Sequence, residues 1–251
     1  MAQQVTSTKT NRYAGLMTLA SNAWVTKPRP ARILSFGCSR GDEMTTIATY
    51  FPDAEIVGCD IDLDIAQART DLPGAVFFST PEAIAENGPY DIIFGLSVLC
   101  LHPSDIAVPD VFSFGDFEKL VQSLHDNLND QGLLCLYNLS YLFRDLPFAD
   151  EYKVVQGERV TENGFVPKWT ADGRKISEEY KIWPFRWQYA LQPDLISPTD
   201  FTDSVYCKTD SAVAQIDVKL PLNNSSRWVE CGMITSKAAV IPTAMRRMFK
   251  G

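Results

Sequence analysis

The sequence is poor in the patterns that mark metal sites, disulfide scaffolds and membrane spans. It has only 2 histidines in 251 residues, and its 6 cysteines include no C-x-x-C pair. We therefore expect no bound metal, and reduced, buried thiols as in cytoplasmic proteins. No apolar run approaches the roughly 18 residues of a membrane helix, and the polar start from Met1 to Gln4 lacks the apolar core of a signal peptide. We expect no membrane association.

Basic side chains are also outnumbered. Lysine and arginine total 23 against 31 aspartate and glutamate, which gives a formal net charge of −8 and a sequence pI near 4.8. A broad cationic face for phosphate is not expected, so nucleic acid is a poor candidate partner. By contrast, 45% of the residues are hydrophobic, which is typical of a globular protein with a full core. We predict a single domain over residues 1–251.

One stretch, from Arg32 to Glu43, combines a buried strand, a glycine turn and the start of a helix. Its apolar first half is typical of a strand that is covered on both faces. Gly37 and Gly41 bracket the turn, where glycine permits positive φ and a close approach of a ligand. The helix that begins at Asp42 directs its first N–H groups into the turn. This combination indicates a binding site.

Three known turns can be written in this way. A dinucleotide-binding turn reads G-x-G-x-x-G, but here the third glycine, Gly41, comes one residue early. The segment from Gly37 to Gly41 also matches the G-x-S-x-G nucleophile elbow of serine hydrolases, with Ser39 as the nucleophile. Only 38 residues precede Ser39, and the two histidines, His102 and His125, both lie in the first half of the sequence. The elbow needs several earlier strands and a late histidine, so its context is missing.

The third alternative is the G-x-G-x-G turn of the class I S-adenosylmethionine-dependent methyltransferases, which this stretch resembles with Ser39 at the middle glycine. A second apolar strand follows, from Glu55 to Cys59, and it ends at Asp60. An acid at the end of the second strand is a feature of ribose-binding α/β folds. The segment from Gly37 to Glu43 also looks like the chemotaxis-receptor methyltransferases, over this short stretch only.

The resemblance implies an α/β fold with a Rossmann-like, seven-stranded, mostly parallel sheet, helices on both faces and an antiparallel last strand. It implies S-adenosylmethionine as the cofactor, with Asp60 on the ribose and Ile61 on the adenine. The end of the third strand would reach the adenine amino group, and the end of the fourth would line the methionine side. The implied cofactor-binding residues are Phe36, Gly37, Cys38, Ser39, Gly41, Asp60, Ile61, Ser79, Thr80, Gly95, Leu96 and Ser97.

Two positions depart from the family pattern. Ser35 stands where the family has an acid, two residues before the first glycine, and Ser39 replaces the middle glycine. The departures leave a second interpretation open, in which the chain is a non-catalytic, methyltransferase-like partner protein. Serine hydrolysis through Ser39 remains a third.

The rest of the chain supplies candidates for a lid and a base. Residues 1–30 are predicted to form a cap with one amphipathic helix. An aromatic-rich insertion is expected after strand five, at about residues 141–195, with a turn at Asp172-Gly173, and closing strands are expected at 212–220 and 227–235. The candidate lid residues over the site are Tyr13, Trp169, Trp183 and Trp187. His102, in a loop after strand four, is a candidate general base, and His125 is expected on the solvated face of a helix.

Together these observations predict methyl transfer to an O, N or C atom of a small-molecule acceptor by in-line displacement. They also predict a cytoplasmic protein that binds neither nucleic acid nor membranes and that can form a homodimer.

Overall fold

A computed structural model describes residues 10–27, 29–61, 76–101, 107–155, 166–182, 185–197, 199–202 and 204–209. A mixed sheet with a small separate hairpin organises this part of the chain. The strands are β1 Arg32–Phe36, β2 Glu55–Cys59, β3 Val76–Phe78, β4 Tyr90–Leu96, β5 Leu128–Tyr137, β6 Tyr152–Val154, β7 Ser177–Ile182, β8 Phe185–Ala190 and β9 Val205–Lys208. The helices are α1 Ala14–Trp24, α2 Asp42–Tyr50, α3 Ala83–Glu86, α4 Val108–Val111, α5 Phe114–Asp126 and α6 Thr199–Thr202.

The main sheet has seven strands in the order β3-β2-β1-β4-β5-β9-β6. The first five strands of this order, β3, β2, β1, β4 and β5, pair in parallel, and β9 is antiparallel to both β5 and β6. At the centre, Leu34 of β1 lies opposite Val57 of β2 and Ile93 of β4. The sheet confirms the predicted fold class, including the antiparallel last strand.

Helices cover both faces of the sheet because the central strands are apolar on both faces. Ile33 points to one face, where it shares a core with Leu16 of α1 and Ile47 of α2. Leu34 points to the other face, where it shares a core with Phe117 of α5. The helix α5 begins with a capping box, in which the Ser113 side chain accepts from the backbone N–H of Asp116.

Three parallel strands end in residues with positive φ. Gly37 follows β1 with φ +86°, Ser97 follows β4 with φ +60°, and Asn138 follows β5 with φ +58°. For residues other than glycine this conformation is strained, and such strain concentrates at functional edges. The polar residues that follow these strands are thereby held at the carboxyl edge of the sheet, where open α/β folds bind ligands.

The two strands that end the main sheet, β9 and β6, come from other positions in the chain than the closing strands that the sequence predicted. The strand β6 falls inside residues 141–195, so part of this segment belongs to the main sheet, as an edge strand beside β9. The hairpin β7–β8 follows β6 in the chain and precedes β9. The predicted strands at 212–220 and 227–235 lie outside the described residues. The predicted turn is confirmed, because Gly173 has φ +84° and Trp169 pairs with Lys175 across it.

The prediction that His125 lies on a solvated face was wrong. Its side chain is buried at the end of α5, where the ring stacks on Phe148 with 4.4 Å between centroids. Its Nδ1 lies 3.0 Å from the hydroxyl of Tyr152. The helical pattern alone did not reveal that β6 and the turn before it cover this end of α5.

Among the described residues, no helix combines the length and the apolarity that crossing a lipid bilayer requires. The same residues contain no group of three or more histidine, cysteine, aspartate or glutamate side chains placed to hold a metal ion.

Candidate functional site

The glycine turn between β1 and α2 is held in a left-handed conformation. Gly37, Ser39 and Gly41 have φ values of +86°, +49° and +85°. The backbone N–H of Gly37 donates to the carbonyl of Cys59 at 2.7 Å, which ties the turn to the end of β2. A Cβ on Gly37 would lie 2.6 Å from Cγ2 of Val98. Glycine is therefore required here by the packing of Val98 as well as by φ.

Asp60 faces this turn from the end of β2. Its Oδ2 accepts a hydrogen bond from the backbone N–H of Ser39 at 2.6 Å, and its Oδ1 accepts from the N–H of Ile61 at 2.8 Å. The Ile61 side chain beside it is 48% exposed. Ser79 and Thr80 are exposed just after β3, whose last residue pairs with Asp60 through the backbone. The turn, an oriented carboxylate and an exposed apolar side chain thus share one edge of the sheet.

The hydroxyl of Ser39 is the polar group of the turn that lacks a partner. Ser39 is only 9% exposed, and its Oγ has no hydrogen-bond partner within the described part of the chain. Buried polar atoms are nearly always hydrogen-bonded, and an unsatisfied one in a native fold calls for an explanation. A polar ligand in the turn would supply the missing partner.

Ser35 occupies the position at which the resemblance implied an acid, and a carboxyl group from another element lies beside it. Glu43, in the first turn of α2, accepts a hydrogen bond from Ser35 Oγ at 2.7 Å. Burial raises the pKa of Glu43 to about 8, and Asp60 acts in the same direction, whereas the Ser35 bond and the nearby Arg12 oppose the rise. An acid from the helix α2 therefore lies beside the position at which the resemblance implied an acid on β1.

The amino-terminal helix joins the site through Tyr13. The Tyr13 hydroxyl lies 2.6 Å from Ser97 Oγ, which also accepts a hydrogen bond from Asn138 Nδ2 at 2.7 Å. The Tyr13 ring packs on Tyr137, with centroids 4.8 Å apart. Burial raises the pKa of Tyr13, despite the hydrogen bond to Ser97. The ends of β4 and β5 are therefore linked to the residue that precedes α1.

Replacing Tyr13 by phenylalanine should lower the free energy of unfolding by about 1 kcal/mol, the typical net value of one hydrogen bond. The measurement is urea unfolding followed by circular dichroism. Tyr50→Phe is the matched control, because its hydroxyl donates to Asn11 at an exposed position, at 3.1 Å, and should cost less. Equal losses in the two variants would contradict the role of the Tyr13–Ser97 bond.

Other predicted site residues lie under the edge rather than on it. The Cys38 side chain is fully buried in the core beside α2, so only its backbone faces the turn, and burial raises the pKa of its thiol. Phe36 and Leu96 are nearly buried, and a Cβ on Gly95 would lie 3.0 Å from Leu136. These residues shape the edge through packing and backbone.

The predicted base and lid residues are only partly placed. His102 and Trp183 lie outside the described residues, and Trp187 is placed only as part of β8. Trp169 is partly buried, bridges to Tyr141 and has its indole Nε1 buried without a partner in the described structure. Of the two candidate lid residues whose side chains the structure describes, Tyr13 and Trp169, Tyr13 contacts Ser97 at the polar edge.

A cavity of about 220 Å³ opens beside the end of β5. Lys168 lines it and is only 3% exposed, and its Nζ donates to the carbonyl of Leu139 at 2.6 Å. Burial lowers the pKa of Lys168 to about 8, although the charge of Asp200 opposes the shift. Sequence reasoning missed this lysine, because a single lysine between two apolar segments carries no recognisable pattern.

No family model and no curated protein sequence matches the chain. Solved structures that match include the plantazolicin methyltransferase BpumL in complex with a pentazolic desmethylPZN analog and S-adenosylhomocysteine, at 17% identity and a TM-score of 0.37. That alignment covers 50% of this chain and 47% of the other. Another is CalS10, an amino pentose methyltransferase from Micromonospora echinaspora with S-adenosylmethionine bound, at 22% identity and a TM-score of 0.37, with 49% of each chain covered.

The chain thus spans about half the length of these structures. At such TM-scores the likeness carries no argument for fold or activity. The strand order of the sheet defines the fold, and the residues at its carboxyl edge are the basis for a functional proposal.

Proposed function

We propose that the chain transfers the methyl group of S-adenosylmethionine to a small-molecule acceptor. The observation that carries this proposal is the placement of Asp60, whose carboxylate is oriented across the glycine turn by the N–H of Ser39. A carboxylate in that position can accept hydrogen bonds from both hydroxyls of a ribose. The seven-stranded sheet with its antiparallel last strand supports the proposal, because the sequence resemblance implied that architecture.

The residues present fit an adenosyl group. The exposed side chain of Ile61 offers an apolar surface for the adenine, and Ser79 and Thr80 lie at the same end of the site for its amino group. The partnerless hydroxyl of Ser39 is a polar group of the turn that a bound ligand can satisfy. When bound, the cofactor supplies an activated methyl group on a sulfonium.

The methionine end would lie over the ends of β1 and β4. Glu43 provides a carboxyl group there in place of the missing acid at Ser35, and its ionised form would attract the positive charge of the cofactor. Gly95, Leu96 and Ser97 form the wall at the end of β4, and Tyr13 closes it from the amino-terminal helix.

The chain mainly has to align and desolvate the two reactants, because the methyl group transfers in one in-line displacement. No covalent nucleophile is required. We keep His102 as a candidate base that takes the proton of the acceptor, and Trp169, Trp183 and Trp187 as lid residues that exclude water. A cytoplasmic location and a homodimer are further predictions.

The two alternatives make distinct demands. A serine hydrolase needs an exposed nucleophile at the elbow, whereas the Ser39 hydroxyl is buried and the described histidine, His125, lies beside Tyr152. A non-catalytic partner protein requires a stable complex and no turnover. Lack of methyl transfer from labelled S-adenosylmethionine to metabolite pools, despite tight cofactor binding, would favour that alternative.

Replacing Asp60 by alanine should weaken the binding of S-adenosylmethionine and S-adenosylhomocysteine by roughly 10- to 100-fold. This range corresponds to about 1–3 kcal/mol, the scale of a hydrogen bond to a charged group. Titration calorimetry with the purified chain measures both affinities. Asp53→Ala is the control, because Asp53 is an exposed acid between α2 and β2. Unchanged affinity in Asp60→Ala would exclude the ribose assignment.

A further inference from the structure

We propose that the hydroxyl of Ser39 binds a ribose hydroxyl of the adenosyl ligand, next to Asp60, and that Ser39 thereby strengthens the preference of the site for a ribonucleoside. The inference rests on the proposed binding of an adenosyl group, and it adds a contact that a glycine at this position would not provide. Three observations carry it: two costs that Ser39 imposes on the free protein, and the place of this residue beside Asp60.

The first cost is conformational. Ser39 lies between Gly37 and Gly41 in the turn, and its φ of +49° is left-handed like theirs. A residue with a Cβ is disfavoured in this region, whereas glycine adopts it readily. Glycine at position 39 would therefore form the same turn without this strain. Backbone strain of this kind concentrates at sites that bind ligands.

The second cost is the unsatisfied hydroxyl. A serine hydroxyl can donate one hydrogen bond and accept two, and leaving it buried without a partner is unfavourable. The other buried side-chain atoms without a partner, within the described ranges, belong to Trp24, Ser140 and Trp169. None of those three residues has a positive φ. Ser39 is thus the described residue at which both costs coincide, which indicates that its side chain has a use in the ligand-bound state.

The place of Ser39 indicates which part of the ligand its hydroxyl meets. The Ser39 N–H donates to Asp60 Oδ2 at 2.6 Å, so the side chain begins close to the carboxylate assigned to the ribose. Serine has three staggered rotamers, and a ribose bound on Asp60 can select the one that faces it. A carboxylate only accepts hydrogen bonds, whereas a serine hydroxyl also donates. The two groups can therefore share the ribose hydroxyls.

The first test is titration calorimetry of Ser39→Ala with S-adenosylhomocysteine. Alanine removes the hydroxyl and keeps the Cβ, so the affinity should fall roughly three- to tenfold, as for the loss of one neutral hydrogen bond. The melting temperature should rise by about 2–4 °C, because an unsatisfied buried hydroxyl is lost. Ser140→Ala is the matched control, since it removes another buried hydroxyl without a partner, outside the turn. It should gain stability in the same way and keep its affinity.

The variant Ser39→Gly removes both costs at once. It should have a higher melting temperature than Ser39→Ala and the same loss of affinity. The opposite signs separate a ligand-binding serine from a structural one, whose loss would not weaken binding while it stabilises the fold. Gln131→Gly is the control for the backbone, because Gln131 is exposed and has a φ of +58° in β5. It should keep the affinity of the wild type.

The second test locates the contact on the ribose. Adenosine and 2′,3′-dideoxyadenosine are titrated by ligand-observed NMR against the full chain. In Ser39→Ala the affinity for adenosine should fall roughly three- to tenfold, as for S-adenosylhomocysteine, and the affinity for the dideoxy probe should stay unchanged.

An equal fall for the two nucleosides would overturn the ribose contact. So would undiminished binding of S-adenosylhomocysteine in both Ser39 variants, and in that case the proposed function would stand without it. A wild-type chain that binds none of these ligands would reject the proposed function and the role of Ser39 together.

Discussion

The variant Asp91→Ala is expected to lower the free energy of unfolding by about 3 kcal/mol and the melting temperature by roughly 6–12 °C. Asp91 lies in β4, at the end of the sheet away from the glycine turn, and it is completely buried. Its carboxylate accepts two hydrogen bonds from the Arg29 guanidinium, one from the N–H of Arg32 at 2.9 Å and one from Asn129 Nδ2 at 2.7 Å. Alanine would leave the partly buried N–H of Arg32 and Nδ2 of Asn129 without this acceptor, whereas the exposed guanidinium of Arg29 can bond to water.

The pH dependence provides a second readout of the same group. Burial acts to raise the pKa of Asp91, but the hydrogen bonds from Arg29, Arg32 and Asn129 outweigh it and lower the pKa. The stability that this shift provides is present above the pKa of the unfolded state, about 4, and is lost as the pH falls through the lower folded value. Chemical unfolding at pH 3 and pH 7 measures the difference, which should shrink in Asp91→Ala.

Two comparisons give the prediction its specificity. Asp53→Ala removes an exposed carboxylate and should change the free energy of unfolding by less than about 0.5 kcal/mol. The affinity of Asp91→Ala for S-adenosylhomocysteine, measured below its melting temperature, should stay close to that of the wild type, because Asp91 is remote from the turn. A stability loss below about 1 kcal/mol would contradict the structural role of Asp91.

The central part of the fold was predictable because its signals are local. Buried parallel strands appear as short apolar runs, and the turn from Gly37 to Gly41 requires glycine at positions that the sequence shows directly. The acid at Asp60 follows its strand immediately, so strand order alone brings it to the turn. The Asp172-Gly173 turn has the same local character.

The rest depends on contacts between distant positions. Glu43 of the next helix places a carboxyl group beside Ser35, and no spacing rule for the turn includes that residue. Lys168 is placed by a loop that packs on the end of β5, and His125 is covered by residues that follow β5. Each of these placements depends on tertiary contacts, which override the pattern of a single element.

The variant Glu43→Gln is expected to change how stability depends on pH. The pKa of Glu43 is raised to about 8 by burial, so between its unfolded value near 4.5 and about pH 8 the folded protein holds a proton that the unfolded chain has lost. The free energy of unfolding should therefore fall as the pH rises through this window, by up to about 1.4 kcal/mol per pH unit. Glutamine keeps the shape without the proton equilibrium, so the fall should flatten in urea unfolding at pH 5, 6, 7 and 8.

The same carboxyl group couples the proposed cofactor to protons. The charged groups that act on Glu43 are Arg12, which favours its ionised form, and Asp60, which opposes it. The positive charge of S-adenosylmethionine beside Glu43 would shift this balance toward the carboxylate. Binding at pH 7 should then release a substantial fraction of one proton, and the affinity should rise between pH 6 and pH 8.

Titration calorimetry in two buffers of different ionisation enthalpy, phosphate and Tris, measures that release directly. The expected result is a buffer-dependent enthalpy for the wild type that disappears in Glu43→Gln and persists in Glu86→Gln, an exposed acid on α3. A release that survives the loss of Glu43 would mean that another group carries it. If the wild type binds the cofactor without releasing a proton, Glu43 does not face the bound charge, and the departure at Ser35 leaves the turn without its acid.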